Sequence, residues 1–168
     1  MQTLLAICIL AAMRVFVPAC AWSDTFVRTA DAFARAAVAE PLPGPDGRPD
    51  AILTAATLVL WAKHESTFKP GAAGDSGAST GIMQVSHAYA AALLHRPVED
   101  VRAELLNPET AAPIWLAVAR ESFRVCKHHP YPERLAQLAY GPDCDHRLDL
   151  ARSRNKETRA LLATAFGQ

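Results

Sequence analysis

The segment from Asp50 to about His64 constrains the fold most, because it is apolar on nearly every face of a helix. Aliphatic and aromatic side chains fill it and leave no polar stripe: Ile52, Leu53, Ala55, Ala56, Leu58, Val59, Leu60 and Trp61. A helix of this kind is stable only when other elements surround it. The sequence therefore predicts a central, buried helix, with Asp50 as its N-cap.

Other helices are predicted around it, separated by clear stop signals. Apolar residues at helical spacing indicate a helix over Trp22 to Val38, and the prolines and glycines between Pro41 and Pro49 end it. Asn107-Pro108-Glu109 is a typical helix start, and its helix is expected to reach Val125 or Cys126. Shorter helices are predicted at 86–96, 98–106, 132–140 and 156–166.

Four glycines make the segment after the central helix unsuitable for a helix: Gly71, Gly74, Gly77 and Gly81. A loop or a small β-ribbon is expected there. The chain has 168 residues, of which 51% are hydrophobic. A domain of this length buries about 70% of the surface of its unfolded chain. We therefore predict a mainly α fold, in one compact domain over residues 22–168.

Charge argues against a nucleic-acid partner. The chain has 17 Lys plus Arg and 17 Asp plus Glu, so its formal net charge is zero. A modest basic cluster near the C-terminus comprises Arg152, Arg154 and Lys156. We interpret this cluster as a solvated helix face rather than a binding patch.

Residues 1–21 are predicted to be a secretory signal peptide. The stretch from Thr3 to Ala21 is apolar apart from Arg14, and it ends in the small-x-small sequence Ala19-Cys20-Ala21. A lipid-modified Cys20 and a weak, retained membrane anchor stay open as alternatives. A full span is not expected, because the apolar runs on either side of Arg14 are too short. The protein is thus expected to be exported, either to the periplasm or to the medium.

Cys126 and Cys144 remain after that segment is removed, and an even pair fits one disulfide in an oxidising compartment. The bond would tie the end of one helix to the loop after another and stabilise the fold by about 3 kcal/mol. Two buried thiols are the alternative. Three histidines lie nearby, but their spacing matches no common zinc pattern, so no metal or cofactor is predicted: His128, His129 and His146.

Glu65 stands where the apolar helix gives way to the glycine-rich segment. A carboxyl group among aliphatic and aromatic neighbours is partly desolvated and would retain its proton near neutral pH, as a general acid requires. Two formal motif matches fail. Gly77-Ala78-Ser79-Thr80-Gly81 lacks the strand and helix of a nucleophile elbow, and Phe68 stands in place of the second histidine of a zinc-protease motif.

The pattern Glu65-Ser66-x-Phe68-x-Pro70, followed by Gly81-Ile82-Met83-Gln84-Val85, resembles the signature of lysozyme-like lytic transglycosylases. Two stretches are similar more loosely: Leu105 to Glu109, and Leu138 to Pro142, where the usual asparagine after Tyr140 is missing. The resemblance covers the segment from Ile52 to Asp143. It implies a lysozyme-like α+β domain that acts on the glycan strands of peptidoglycan as a monomer, without a cofactor.

The resemblance also implies a role for each matching residue. Glu65 would be the single catalytic acid and base, cleaving the bond between N-acetylmuramic acid and N-acetylglucosamine and giving a 1,6-anhydro product. Met83 and Gln84 would line the cleft, Ser66 would support the loop, and Tyr140 would reach the reacting centre. Core or loop roles remain open for Met83, Gln84 and Tyr140. Wall remodelling, a secretion apparatus and phage lysis are the possible biological settings.

Asp75 leaves a hydrolytic alternative open. Gly74-Asp75-Ser76-Gly77 also resembles goose-type lysozyme, in which an aspartate here is proposed to help activate water. An inverting pair of carboxyl groups would be about 6.5–9.5 Å apart. However, Ser86 stands where that family has a further aspartate, and Asp and Gly also favour turns. The alternatives to a transglycosylase are a muramidase assisted by Asp75 and a wall-binding protein without activity.

Overall fold

The computed structural model describes residues 2–17, 23–136, 138 and 143–166. The α-helices are α1 (Gln2–Phe16), α2 (Asp24–Ala39), α3 (Ala51–Ser66), α4 (His87–Leu94), α5 (Val98–Leu105), α6 (Pro108–Val125) and α7 (Leu148–Ala165). Short 3-10 helices span Asp75–Gly77 and Tyr131–Leu135. Three strands form an antiparallel sheet in the order β1 (Ala73–Gly74), β2 (Ser79–Thr80) and β3 (Val85–Ser86). The predicted mainly α class with a small β-ribbon is confirmed.

Helix α3 is the central helix that its composition predicts. Every residue from Leu53 to Ala62 is buried, and α1, α2 and α7 pack against it. Asp50 caps it by accepting a hydrogen bond from the Leu53 amide at 2.9 Å. Trp61 contacts Trp115 of α6, with ring centroids 5.5 Å apart. The last turn of α3 is therefore held rigidly by the core.

The sheet follows α3 directly and folds back on itself. Gly74 pairs with Ser79, and Thr80 pairs with Val85. Ser86 then caps α4 by accepting from the Tyr89 amide at 3.4 Å. The glycine-rich segment thus becomes a compact ribbon beside the end of α3.

Two predicted helices differ from those observed. Helix α7 begins at Leu148, well before the predicted start at Lys156, because its first turns are polar in sequence but pack against α3. The helix predicted from Pro132 begins as a 3-10 helix over Tyr131–Leu135, and Ala136 and Leu138 after it are α-helical. The predicted end of that helix, with Tyr140, falls outside the described residues.

The predicted disulfide is confirmed. Cys126 and Cys144 are bonded, with their Cα atoms 5.4 Å apart and a sequence separation of 18. The bond ties the end of α6 to the segment that leads into α7. A loop of this length is worth about 3 kcal/mol in the chain-entropy model.

Most of the predicted signal peptide forms α1. Leu5, Ile9 and Met13 are buried where α1 packs on α2, α3 and α7. The proposed cleavage point after Ala21 is not among the described residues. Within the described part of the chain, no helix has both the length and the apolarity needed to cross a membrane. Removal of residues 1–21 would expose the apolar surface that α1 covers.

Candidate active site

Glu65 lies in the last turn of α3, where the helix ends abruptly. Thr67 and Phe68 have positive φ values of 52° and 61° and turn the chain away from the helix axis. The Thr67 amide donates to the carbonyl groups of Ala62 and Lys63, which satisfies the helix end. The Glu65 side chain is 23% exposed. Its carboxyl group is therefore mostly shielded but still reachable from solvent.

Ser66 joins this helix end to the loop over residues 81–85. Its hydroxyl donates to the Ile82 carbonyl at 2.8 Å and accepts from the Lys69 amide at 3.1 Å. These are the contacts of a loop-supporting residue. The two halves of the glutamate-containing motif are therefore bonded directly to each other.

The side chains of Gln84 and Met83 also stabilise the loop over residues 81–85. The Gln84 side-chain amide donates to the carbonyls of Ala72 and Gly81, at 2.9 and 2.8 Å. Met83 is 2% exposed and belongs to the hydrophobic core. The observed contacts of both residues are structural, and the role in lining the cleft stays a prediction.

Gly81 places the loop against the end of α5. Its φ is +83°, and a Cβ atom at this position would lie 1.9 Å from the Leu105 carbonyl oxygen. Only glycine fits this backbone conformation and this approach without movement of the main chain. The loop over residues 81–85 therefore packs against the backbone at the end of α5.

Asp75 makes the contact expected of a turn residue. It is exposed, has a φ of +50°, and its carboxylate accepts from the Ser79 hydroxyl at 2.9 Å. The hydrogen bond closes the turn between β1 and β2.

His87, the first residue of α4, links this helix to Thr80 in strand β2. Burial, and then the charge of Arg102, lower the pKa of His87, which favours the neutral ring. Its Nε2 atom lies 2.9 Å from the Thr80 hydroxyl, inside the protein. The loop beside Glu65 is thus anchored at α3, α4 and α5.

Arg154 of α7 is a site residue that sequence reasoning missed. Its Nη1 atom lies 2.6 Å from Glu65 Oε1, and its side chain is 8% exposed. Its guanidinium carbon lies 4.4 Å from the centroid of the Trp61 ring. The interpretation of this basic cluster as a solvated face is therefore wrong for Arg154. The available signal was its helical spacing from the small or apolar residues Ala151, Thr158 and Leu161, all of which are buried.

The positive charge of the buried Arg154 side chain is balanced by Glu65. The contact between Nη1 and the carboxylate is an ion pair by distance but lacks hydrogen-bond geometry. No residue in the described parts of the chain bonds to the buried Nε atom. A buried cation with incomplete hydrogen bonding needs a nearby negative charge. Glu65 supplies that charge.

One turn further along α7, Glu157 pairs with the residues that precede Glu65. Its carboxylate lies 3.0 Å from Lys63 Nζ and 3.1 Å from His64 Nε2. Burial alone would raise the pKa of Glu157, but the hydrogen bonds and charges of Lys63 and His64 outweigh it, and the pKa is lowered. Helix α7 is therefore bound to the last turn of α3 by two sets of ion pairs. Arg154 of α7 pairs with Glu65, and Glu157 of α7 pairs with Lys63 and His64.

Removing Glu65 alone should destabilise the fold. We expect Glu65→Gln to lower the free energy of unfolding by about 1–3 kcal/mol, less than for a fully buried pair, because Glu65 is partly exposed. Adding Arg154→Met should recover part of the loss, since no buried cation then remains. Urea denaturation of the wild type, both single variants and the double variant measures this coupling. Additive losses in the double variant would show that the two groups do not interact.

A separate groove of about 400 Å³ lies between α4, α5 and α6. Its charged side chains pair with one another, Arg96 with Glu104 and Arg120 with Glu40. Glu65 does not line it. The candidate site is therefore the end of α3 and not this groove.

Comparison with protein families places the site in context. Residues 52–131 match the family model described as transglycosylase SLT domain. The chain is therefore similar to this family over residues 52–131, a little less than half of its length. Its fold is accordingly lysozyme-like, and a domain of this type acts on peptidoglycan. Neither the curated proteins nor the solved structures compared with the chain include a match.

The SLT match runs from Ile52 in α3 to Tyr131, the first residue of the second 3-10 helix. It therefore includes the predicted site residues Glu65, Ser66, Asp75, Met83 and Gln84. Arg154 and Glu157, the residues that α7 presents to the end of α3, lie beyond it. Tyr140 also lies beyond the match, as well as outside the described part of the structure.

Proposed function

We propose that this protein is a peptidoglycan lytic transglycosylase in which Glu65 acts first as the acid and then as the base. Glu65 donates a proton to the oxygen that links C1 of N-acetylmuramic acid to N-acetylglucosamine, and that bond breaks. The resulting carboxylate accepts the proton of the muramic acid's C6 hydroxyl, whose oxygen bonds to C1. The product is a 1,6-anhydro end, and no water is consumed.

The position of Glu65 carries this proposal. It is a largely shielded carboxyl group on a rigid helix end, bonded through Ser66 to the second half of the motif. One carboxyl group suffices for the reaction, because the attacking hydroxyl belongs to the substrate and is already tethered. Asp75 accepts a hydrogen bond from Ser79 within a turn, which supports a structural role for this residue.

The Arg154 ion pair adds a requirement to the mechanism. Arg154 Nη1 lies 2.6 Å from the carboxyl oxygen that must give and then take the proton. The acid step needs a neutral carboxyl group. We therefore expect the contact between Glu65 and Arg154 to loosen when a glycan strand occupies the site.

Export is part of the same proposal, because the substrate lies outside the cytoplasm. Residues 1–21 would direct export and be removed after Ala21. N-terminal sequencing of the chain recovered from the periplasm or medium should then begin at Trp22. A sequence that begins at Met1 or Gln2 would show instead that α1 is retained as the packed helix observed here.

Incubation with purified sacculi tests the function itself. The wild-type protein should release soluble muropeptides and lower the turbidity of the suspension. A wall-binding protein without activity would sediment with the sacculi and release nothing. That outcome would overturn the proposal.

A further inference from the structure

Three potential metal ligands converge at the junction between α6 and α7. His128, His129 and Asp145 each offer a nitrogen or oxygen atom, and all three atoms lie within 4.8 Å of one another. The two imidazole rings are 4.2 Å apart between centroids. The residues come from two separate segments of the chain, so the fold and not the local sequence brings them together.

His129 is the central member of this cluster. Its side chain is 14% exposed, and its Nδ1 atom lies 3.3 Å from Glu133 Oε2. Glu133 is itself buried and is held by Arg152, whose Nε donates to it at 2.7 Å. A carboxylate beside Nδ1 is the usual outer partner of a histidine that binds a metal through Nε2.

The Nε2 atom of His129 is shielded from solvent and faces Asp145. It lies 3.0 Å from Asp145 Oδ1, yet it makes no hydrogen bond to any residue that the structure describes. The two atoms are within ion-pair distance but lack hydrogen-bond geometry, and a cation bound by both would satisfy them. Two atoms that each bind a metal at about 2.0–2.2 Å are separated by a similar distance.

The disulfide holds both ligand segments in place. Cys126 lies two residues before His128, and Cys144 directly precedes Asp145. The amide of His129 also donates to the Cys126 carbonyl at 3.0 Å. The bond therefore fixes the backbones that carry the ligands, and only the exposed side chains of His128 and Asp145 need to adjust.

We propose that His128, His129 and Asp145 bind a divalent transition metal, with Zn²⁺ as the best match. Two imidazoles and one carboxylate form a donor set suited to zinc, with the fourth position open to water. Glu133 is the outer carboxylate that orients His129. The ion would brace the end of α6 against the start of α7, the helix that presents Arg154 to Glu65. This site is independent of peptidoglycan cleavage.

Titration with Zn²⁺ alone tests the site. The full chain is used with its disulfide intact and with both Cys8→Ala and Cys20→Ala, because these two cysteines lie outside the disulfide and thiols compete for zinc. After treatment with a chelator, calorimetry should show one Zn²⁺ per chain. Zn²⁺ at about one hundred times the dissociation constant should raise the melting temperature by several degrees.

Two exposed ligands provide variants that should fold normally. His128→Ala and Asp145→Asn should each weaken Zn²⁺ binding by at least about tenfold. His95→Asn, at an exposed histidine that ends α4, is the matched control and should leave the affinity unchanged. The proposal is overturned if the parent chain shows no saturable binding, or if either ligand variant binds Zn²⁺ as tightly as its parent.

Discussion

Glu65→Gln is expected to reduce muropeptide release from sacculi by at least about 10²–10⁴-fold, which is the usual contribution of general acid–base catalysis. Glutamine keeps the size of the side chain but can neither give nor take the proton. The loss should lie at the upper end of that range, because the same group serves both steps. Release of soluble fragments by equal amounts of folded protein is the measurement.

Glu104→Gln is the matched control for this substitution. Glu104 also pairs with an arginine, since Arg96 Nη2 lies 2.6 Å from its Oε1, and its side chain is 33% exposed. The control removes a comparable ion pair in the groove between α4, α5 and α6. It should retain full activity.

Loss of stability must be separated from loss of chemistry at Glu65. Glu65→Gln leaves Arg154 buried without an opposing charge, so part of its effect on activity could arise from unfolding. The double variant Glu65→Gln, Arg154→Met also removes the buried charge of Arg154. It should be as inactive as Glu65→Gln alone. Near wild-type release by either variant would show that Glu65 is not the acid.

Gly81→Ala is expected to produce the largest loss of stability, about 2–5 kcal/mol in the free energy of unfolding. The new methyl group would meet the Leu105 carbonyl oxygen at 1.9 Å, and this obstacle is main chain that no side-chain rotation can move. The positive φ of Gly81 adds about 1–2 kcal/mol of strain for any other residue. Urea denaturation measures the loss.

Activity should fall together with stability in this variant. A displaced residue 81 shifts Ile82, whose carbonyl accepts the hydrogen bond of Ser66 beside Glu65. Gly71→Ala is the matched control, because a Cβ atom added at Gly71 would have no neighbour within 4 Å and the φ of this residue is not positive. It should change stability by less than about 0.5 kcal/mol. Equal stability of the two variants would show that the loop does not pack on α5 as described.

The elements that sequence analysis predicted well are those whose signals are local. The all-apolar pattern of α3 requires burial whatever its neighbours are, and Asp50 and Asn107 cap helices through their own side chains. The pairing of Cys126 with Cys144 followed from there being only two cysteines after residue 21. The assignment of Glu65 as the catalytic acid, which stays a prediction, rests on two short segments, Glu65 to Pro70 and Gly81 to Val85.

Features that depend on distant contacts could not be predicted in the same way. From the sequence alone Arg154 is interpreted as a surface residue, because only the packing of α7 on α3 places its guanidinium group against Trp61. The early start of α7 has the same cause, because its polar first turns are stabilised by tertiary contacts. Burial of Met83 depends on how the loop over 81–85 folds back into the core. The three ligands around His129 meet only after the disulfide has joined α6 to the segment before α7.

Mass spectrometry of the released muropeptides tests the central claim most directly. If Glu65 acts as a single acid and base, the new muramic acid ends should be 1,6-anhydro and lighter by one water molecule than the corresponding reducing ends. They should also carry no ¹⁸O when the digestion is run in H₂¹⁸O. Reducing ends that take up oxygen from the solvent would contradict the account and identify the protein as a muramidase.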